Sequence, residues 1–335
     1  MSWPRVRGHD EVVAAFRRAV ARDRLAHAYL FTGPPGVGKR LFARELAKAL
    51  LCESPPQGRF EACDVCASCK LVDAGTHPDC FTVARPEEKH ELPIEVVRQL
   101  CANLAMKPAR GGRKIAVLDD ADDLNEEAAN CFLKTLEEPP PGSLLILIGT
   151  SADRQLPTIR SRCQIVPFAS LPEPTVRELL DTDRELDPAL ASRLAKLGEG
   201  SPGLARDLAD PEFWRFRAAL FQALVRTNPN GPAVAKTLWE FIESIGKDTS
   251  AQRRRASLIV RLLVDGFRQA LTRNLGGPPP TDPVDGPIIE QLADKLGADE
   301  LLSRLERCLE ADMQIERRVQ LVLALEGLVD ALVYG

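Results

Sequence analysis

The chain of 335 residues is long enough for about two domains that bury their own cores without disulfide support. Its 44 basic and 48 acidic residues give a net charge of -4, so no global field draws it onto nucleic acid or anionic lipid. With 12 Phe, 3 Trp and 2 Tyr, it has too few aromatic residues for a single-strand binder that stacks bases. No apolar stretch approaches the roughly 18 residues of a membrane span, and the first residues lack the apolar middle of a signal peptide. These features predict a cytoplasmic protein that does not enter membranes.

Predicted strands and helices alternate from residue 25 to residue 170. Apolar residues at helical spacing predict helices at 11–21, 41–51, 93–106 and 126–138. Compact apolar runs predict strands at 27–33, 114–120 and 143–151. This alternation is typical of an α/β fold with a parallel sheet and helices on both faces. Residues 52–80, rich in Cys, Pro and Gly, interrupt the pattern and are interpreted as an inserted module.

The sequence after Pro167 is predicted to be helical. Short periodic segments broken by Gly and Pro predict a small helical domain over 169–210, which leaves 1–168 for the α/β domain. Longer amphipathic stretches predict an all-helical domain over 211–335. These stretches are 212–225, 233–246, 253–271 and 314–333, with a Gly- and Pro-rich connector at 276–287. We therefore expect three domains.

A glycine-rich loop joins the first predicted strand to the second predicted helix. Its sequence GPPGVGKR, residues 33–40, satisfies the first seven positions of the G-x-x-x-x-G-K-[S/T] phosphate loop. Gly33, Gly36 and Gly38 allow backbone amides to turn toward phosphates, and Lys39 can reach the outer phosphates. The strand–loop–helix context favours this interpretation over an ordinary Gly/Pro turn.

Two residues of this predicted site depart from what ATP hydrolysis requires. Arg40 occupies the eighth position, where a hydroxyl normally binds magnesium, and a guanidinium cannot ligate a cation. Asp119 is the candidate magnesium carboxylate, but Asp120 stands where an active ATPase usually places a Glu to orient water. Asp is one methylene shorter, and a misplacement of about 1 Å can cost about 100-fold in rate. We expect weak or absent hydrolysis and doubtful ATP/Mg²⁺ binding at this site, and the sequence leaves open whether Lys39 and the glycines still hold a nucleotide without hydrolysing it.

The inserted module has the spacing of a metal site, and nine cysteines in a cytoplasmic chain are better interpreted as metal ligands than as disulfides. The candidate ligands are Cys52, Cys63, Cys66 and Cys69. Four thiolates suit tetrahedral zinc and leave no open position, which predicts a structural Zn²⁺. His77 or Cys80 are alternatives to Cys52 as the fourth ligand. An iron–sulfur cluster is disfavoured because its usual fourth Cys is Asp73 here.

Taken together, these segments resemble the bacterial clamp-loader subunits of the AAA+ class. The resemblance is carried by RLAHAYLFTGPPGVGK (24–39), the cysteine module, HPD (77–79), AANCFLKTLEEPP (128–140) and SRC (161–163). It covers about residues 5–210 and implies an AAA+ P-loop domain, a helical lid and a helical collar domain for oligomerisation. It also implies a place in the DNA polymerase III holoenzyme, in ATP-driven loading of the sliding clamp onto primed DNA.

The family contains a gamma/tau motor, which hydrolyses ATP, and a delta-prime subunit, which generally does not. A third departure accompanies Arg40 and Asp120. The family carries a sensor arginine in a G-S-x-R segment, and in the corresponding GSPG, residues 200–203, that position is occupied by Gly203. Three losses in one site resemble the delta-prime branch, whose partners are gamma/tau and delta. A gamma/tau-type motor remains the alternative. An unrelated P-loop regulator is disfavoured by the SRC and LKTLEEPP motifs together.

The resemblance also assigns two further residues. Arg162 in SRC matches the arginine finger that reaches across a subunit interface to the gamma-phosphate of ATP held by a neighbour. From the residues alone, the alternative is a surface arginine paired with a carboxylate. Thr150 matches a sensor that contacts the gamma-phosphate, although a strand-end hydroxyl that satisfies local groups is favoured in a damaged site. The basic run at 107–114 is interpreted as a solvated face rather than a DNA contact.

Overall fold

A computed structural model describes residues 3–334 except 58, 87, 88, 90, 111, 184, 185, 227, 281, 283 and 284. The chain divides into two compact units, Met1–Arg206 and Asp207–Gly335. The connector predicted at 276–287 includes three of the undescribed residues, and its last two residues already belong to a helix. The first unit contains the sheet and both of the sites considered below.

The first unit is built on a five-stranded sheet in which every strand pair is parallel. The strands are β1 Ala28–Thr32, β2 Cys80–Val83, β3 Lys114–Leu118, β4 Ser143–Ile148 and β5 Gln164–Pro167, in the order β2-β3-β4-β1-β5. The three central strands are fully buried, which explains why their apolar runs were predictable. The two edge strands have only four residues each and are partly exposed. Neither edge strand was predicted, because neither carries a continuous apolar run.

Helices cover both faces of this sheet, as predicted. They are α1 Asp10–Ala21, α2 Lys39–Leu51, α3 Ala67–Asp73, α4 Ile94–Ala105, α5 Glu126–Glu137, α6 Pro157–Arg160, α7 Glu173–Asp183, α8 Pro188–Leu197 and α9 Pro202–Asp207. Alternate residues of β1 enter different cores because successive side chains point to opposite faces. Phe31 packs with Phe16 of α1 and Phe42 of α2. Leu30 belongs to the core formed with α4 and α5 on the other face.

The second unit is helical throughout its described residues. Its helices are α10 Pro211–Val225, α11 Gly231–Glu243, α12 Thr249–Asn274, α13 Gly286–Lys295, α14 Ala298–Glu316 and α15 Leu321–Tyr334. The periodic stretch at 314–333 is divided between α14 and α15, with Arg318 between them at φ +60°. Of the helices that the structure describes, none combines the length and the apolarity that a bilayer crossing requires.

Candidate nucleotide site and metal centre

The predicted nucleotide-site residues meet at the carboxyl edge of the sheet. The loop 33–38 follows β1, Asp119 follows β3 and Thr150 follows β4, and parallel strands bring these ends to one edge. The backbone N–H of Gly33 donates to the carbonyl of Thr150 at 2.9 Å. The structure therefore brings together the phosphate loop, the candidate magnesium carboxylate and the candidate sensor.

The backbone of the loop has the conformation that its glycines allow. Gly33, Gly36 and Gly38 have φ values of +138°, +76° and +108°, a region that L side chains rarely adopt. Space is also restricted, because a Cβ on Gly33 would lie 2.1 Å from the carbonyl oxygen of Phe168. The backbone conformation of the loop therefore favours glycine at these positions, whatever the loop binds.

The Lys39 ammonium is turned into its own loop. Its Nζ donates to the carbonyl oxygen of Pro34 at 2.7 Å and also to that of Gly33. The residue is 7% exposed. Burial lowers the pKa of Lys39, while the charges of Asp119 and Asp122 act in the opposite direction. The group that reaches phosphates in an active loop is here satisfied by loop carbonyls.

Arg40 lies beside the carboxylate expected to hold magnesium. Its Nε is 3.7 Å from Oδ2 of Asp119, whose side chain is only 16% exposed. A fixed positive charge therefore occupies the side of Asp119 that faces the loop. Asp120 follows in an exposed position with φ +53°, in the left-handed region. Among the described contacts, no hydrogen bond joins Asp119 or Asp120 to residues 33–39 of the loop.

Asp122 organises the rest of this edge and was missed by the sequence reasoning. Thr150 donates to its Oδ2 twice, from the backbone N–H at 2.7 Å and from the hydroxyl at 2.6 Å. Gln155 Nε2 donates to the other carboxylate oxygen at 2.7 Å. The Thr150 hydroxyl is therefore engaged locally. The run DDADD offers four carboxylates in five positions, and nothing in the sequence distinguishes Asp122 as the acceptor.

The segment GSPG contacts the phosphate loop directly. Ser201 Oγ donates to the carbonyl oxygen of Pro35 at 2.8 Å, and the backbone N–H of Gly203 donates to that of Gly36 at 3.1 Å. A Cβ on Gly203 would lie 2.8 Å from Gly36 Cα, so a side chain at this position requires the two segments to separate. Gly203, which stands where the family has the sensor arginine, therefore lies at a close approach between two backbone segments.

Arg162 lies between α6 and β5 and is partly exposed. Its Nη2 is 2.6 Å from Oε1 of Glu137, and its Nη1 donates to the carbonyl oxygen of Thr158 at 2.9 Å and to Ser161 Oγ at 3.2 Å. Glu137 ends α5 within the LKTLEEPP motif, so two of the resembling motifs meet at this ion pair. Among the described contacts, none joins Arg162 to the loop 33–40. The described contacts of Arg162 are therefore with Glu137, Thr158 and Ser161, and not with the phosphate loop.

Four cysteines converge at the end of α2. The sulfur atoms of Cys52, Cys63, Cys66 and Cys69 all lie within 4.8 Å of one another, and those of Cys52 and Cys66 are 3.9 Å apart. A tetrahedral zinc with Zn–S bonds of about 2.3 Å separates its sulfurs by about 3.8 Å. The donor set and its spacing therefore fit a metal ion bound by four thiolates, and the structure groups Cys52 with the triplet.

The alternative fourth ligands are engaged elsewhere or lie apart. His77 is buried, with Nε2 3.1 Å from Ser68 Oγ and Nδ1 accepting the backbone N–H of Asp79 at 3.0 Å. Both ring nitrogens of His77 are therefore used in local hydrogen bonds. Cys80 begins β2 and does not belong to the group of four sulfurs found among the described residues.

Backbone amides prepare the cysteine sulfurs for a cation. The N–H groups of Cys63, Cys66 and Cys69 each donate to the sulfur of the preceding cysteine in the set, at 3.3, 3.3 and 3.5 Å. Amides of Val65 and Cys66 lower the pKa of the Cys63 thiol to about 6. Burial raises the pKa of Cys52 and Cys69, which favours their neutral forms in the absence of a positive charge. A bound cation supplies that charge.

A buried lysine connects the cysteine module to α2, and sequence reasoning missed it. Lys48 Nζ lies 2.6 Å from Asp64, 2.9 Å from Asp73 and 3.3 Å from Glu45, and its side chain is fully buried. Burial alone would lower the pKa of Lys48, but Asp64 and Asp73 outweigh it and raise the pKa. Helical spacing places Lys48 beside Arg44 and Glu45, on the side of α2 away from Phe42 and Leu46, so its pattern in the sequence is that of an exposed lysine.

The phosphate loop between β1 and α2, the five-stranded parallel sheet and the helical segment after it define a P-loop domain of the AAA+ class. The family model described as "DNA polymerase III, delta subunit" matches residues 8–172. The DNA polymerase III subunit delta' of Escherichia coli K12 is 36% identical over 205 residues, 61% of each chain. That of Pseudomonas aeruginosa PAO1 is 42% identical over 193 residues, 56% of this chain and 57% of the other. The P-loop domain of this chain belongs to the bacterial clamp-loader delta-prime family.

A gamma/tau relative matches over a similar length. DNA polymerase III subunit tau of Escherichia coli K12 is 33% identical over 209 residues, which cover 61% of this chain and 32% of tau. The matches to the two delta' subunits span less than two thirds of their length. Family membership is therefore carried by the P-loop domain and the segment that follows it.

Proposed function

We propose that the chain is the delta-prime subunit of a DNA polymerase III clamp loader and supports ATP-driven loading of the sliding clamp onto primed DNA. It presents Arg162 to ATP bound by a neighbouring subunit, while its own nucleotide site is degenerate. Its partners are the gamma/tau and delta subunits, joined through the helical collar domain 211–335, and the complex acts in the cytoplasm. One observation carries the proposal: the polar groups of its own site pair with one another, whereas Arg162 lies partly exposed outside that site.

The contacts of the phosphate loop support a degenerate site. A triphosphate would have to draw Lys39 away from two carbonyl oxygens and compete with the hydrogen bonds from Ser201 and Gly203 to the loop. Magnesium would find no hydroxyl at position 40 and an Asp119 that already faces a guanidinium. The groups on which ATP binding and ATP hydrolysis depend are therefore either absent or already engaged.

The surroundings of Arg162 support a role in trans. Its side chain is 34% exposed and that of its partner Glu137 is 49% exposed. An ion pair this exposed contributes about 0–1 kcal/mol, so exchanging Glu137 for a phosphate of a neighbour costs little. An arginine supplied in trans contributes roughly 10³ to 10⁵ to the rate of phosphoryl transfer. Arg162 then acts by neutralising charge on the neighbour's ATP rather than on a ligand of its own chain.

The test is a clamp loader reconstituted with Arg162→Ala. Arg160→Ala is the matched control, because Arg160 lies two residues away, is similarly exposed and pairs with the exposed Asp153. We expect Arg162→Ala to leave assembly intact and to lower ATP turnover at the affected interface by about 10³ or more, with a loss of clamp loading. Arg160→Ala should match the unmodified loader. Unchanged ATPase and loading with Arg162→Ala would remove this residue from the mechanism.

The alternative, a gamma/tau-type motor, is favoured by the preserved Lys39 and by the match to tau. Steady-state ATPase of the isolated chain distinguishes the two functions. The delta-prime proposal expects no turnover above background in both the unmodified chain and Lys39→Ala. Turnover that Lys39→Ala abolishes would establish the motor.

For the cysteine module we propose a structural zinc bound by Cys52, Cys63, Cys66 and Cys69. The module would hold the metal with four thiolates and no open position, so the ion contributes folding free energy and takes no part in phosphoryl transfer. Metal analysis of the purified chain should give about one zinc per chain, as expected for a site of this kind.

A further inference from the structure

A cleft of about 980 Å³ lies between α1, the end of α2 and the loop 53–61 of the cysteine module. Its apolar lining includes Val20, Leu50, Pro56 and Phe60, all partly exposed. The nucleotide-site residues do not line it. The cleft is therefore a surface of the first unit that the proposed function does not use.

The charged residues of this cleft are mainly arginines. Arg17, Arg59 and Arg113 line it, and Glu61 is the one acidic residue among its lining residues. Glu61 is already paired, with its Oε1 2.8 Å from Arg17 Nη2. Within the described residues, no carboxylate lies within salt-bridge distance of Arg59 or Arg113. Two positive charges thus remain uncompensated around an apolar floor, in a chain whose net charge is -4.

Two contacts hold described residues at and beside this wall of the cleft. At its base, the N–H of Cys63 donates to the sulfur of Cys52 at 3.3 Å. Near Phe60, Trp3 Nε1 donates to the Phe60 carbonyl oxygen at 2.6 Å, and the two rings pack at 6.0 Å. Contacts that already hold Phe60 and the two cysteines reduce the entropy that binding would cost.

We propose that this cleft binds an acidic peptide segment of a partner protein, in which carboxylates alternate with apolar side chains. The guanidinium forks of Arg59 and Arg113 match carboxylates in geometry and charge, and the apolar floor accepts the intervening side chains. Nucleic acid fits less well, because the single aromatic ring of the cleft, Phe60, already packs against Trp3 and offers no free stacking platform.

The test measures binding of a short fluorescein-labelled peptide of alternating glutamate and leucine to the full chain by fluorescence anisotropy. A second peptide with serine in place of leucine isolates the apolar contribution, and labelled oligothymidylate of equal charge represents nucleic acid. The test variant is Arg59→Ala combined with Arg113→Ala. Its matched control is Arg18→Ala combined with Arg98→Ala, which removes the same charge from exposed positions outside the cleft.

We expect saturable binding of the glutamate–leucine peptide, weaker binding of the serine peptide, and a loss of about tenfold or more in the test variant. The control variant should bind within about twofold of the unmodified chain. Three results would overturn the proposal: no saturable binding of the peptide, equal binding by the test and control variants, or oligothymidylate binding with the same dependence on Arg59 and Arg113. This outcome does not depend on ATPase or clamp loading, so it stands or fails separately from the proposed function.

Discussion

Helix α2 has a sequence motif at each end, and the two motifs are preserved in different ways. At its start, the glycines of the phosphate loop keep the required backbone conformation, while Lys39 and Arg40 are engaged with groups of the same chain. At its end, the four cysteine sulfurs converge at the spacing of a tetrahedral site. One motif thus combines the backbone conformation of a phosphate loop with side chains that are engaged within the chain, and the other brings its four sulfur atoms together.

The difference shows that backbone geometry and ligand chemistry are separable parts of a motif. The fold itself requires these glycines, because a side chain on Gly33 would collide with Phe168 and one on Gly203 with Gly36. The side chain of Arg40, which is 70% exposed, carries no such constraint. A loop can therefore look intact in sequence after its phosphate chemistry is lost, whereas four converging thiolates have little other use.

The largest expected effect is at the cysteine end of α2. Cys66→Ser should abolish stoichiometric metal binding and destabilise the module, because a structural zinc contributes of order 10 kcal/mol to the folding of small zinc domains. Metal analysis and thermal unfolding monitor the two consequences. Cys131→Ser, at a partly buried cysteine of α5 outside the cluster, is the control and should keep the metal. A purified chain without metal under reducing conditions, or with iron, would contradict the zinc proposal.

The next largest effect is a loss of stability on replacing Lys48 of α2. Lys48→Met should lower the free energy of unfolding by about 3–5 kcal/mol, because it leaves the fully buried Glu45 and the carboxylates of Asp64 and Asp73 without their cation. Denaturant unfolding measures this change. Lys70→Met, at an exposed lysine of α3, is the matched control and should change stability by less than about 0.5 kcal/mol.

The loss of unfolding free energy in Lys48→Met, here called the deficit, should depend on pH. Burial raises the pKa of Glu45, and Lys48 opposes that rise. A carboxyl whose pKa is higher in the folded than in the unfolded state makes the folded protein less stable as the pH rises. Removing Lys48 should raise the pKa of Glu45 further. The deficit of Lys48→Met should therefore be larger at about pH 8 than at about pH 6, where more of the carboxyl is protonated. A deficit independent of pH would show that Glu45 is not the group left uncompensated.

The sequence predicted those parts of the fold and site that depend on local pattern. The central strands and the helices around them follow from apolar periodicity, and Asn125 caps α5 by accepting the N–H of Ala128, a role typical of Asn before a helix. The edge strands β2 and β5 were missed because they are short and partly exposed. Asp122, Glu137 and Lys48 were missed because their roles arise from contacts between segments far apart in sequence.

The smallest effect tests whether the lost chemistry at the start of α2 can be restored. Arg40→Ser returns a hydroxyl to the eighth position and frees Asp119 from its guanidinium neighbour, so magnesium should strengthen nucleotide binding by about tenfold in the variant and have no such effect in the unmodified chain. Titration with a fluorescent ATP analogue, with and without magnesium, measures this. Arg22→Ser, at an exposed arginine after α1, should leave binding unchanged. If Arg40→Ser gains no magnesium dependence, the contacts of Lys39, Ser201 and Gly203 alone are sufficient to close the site.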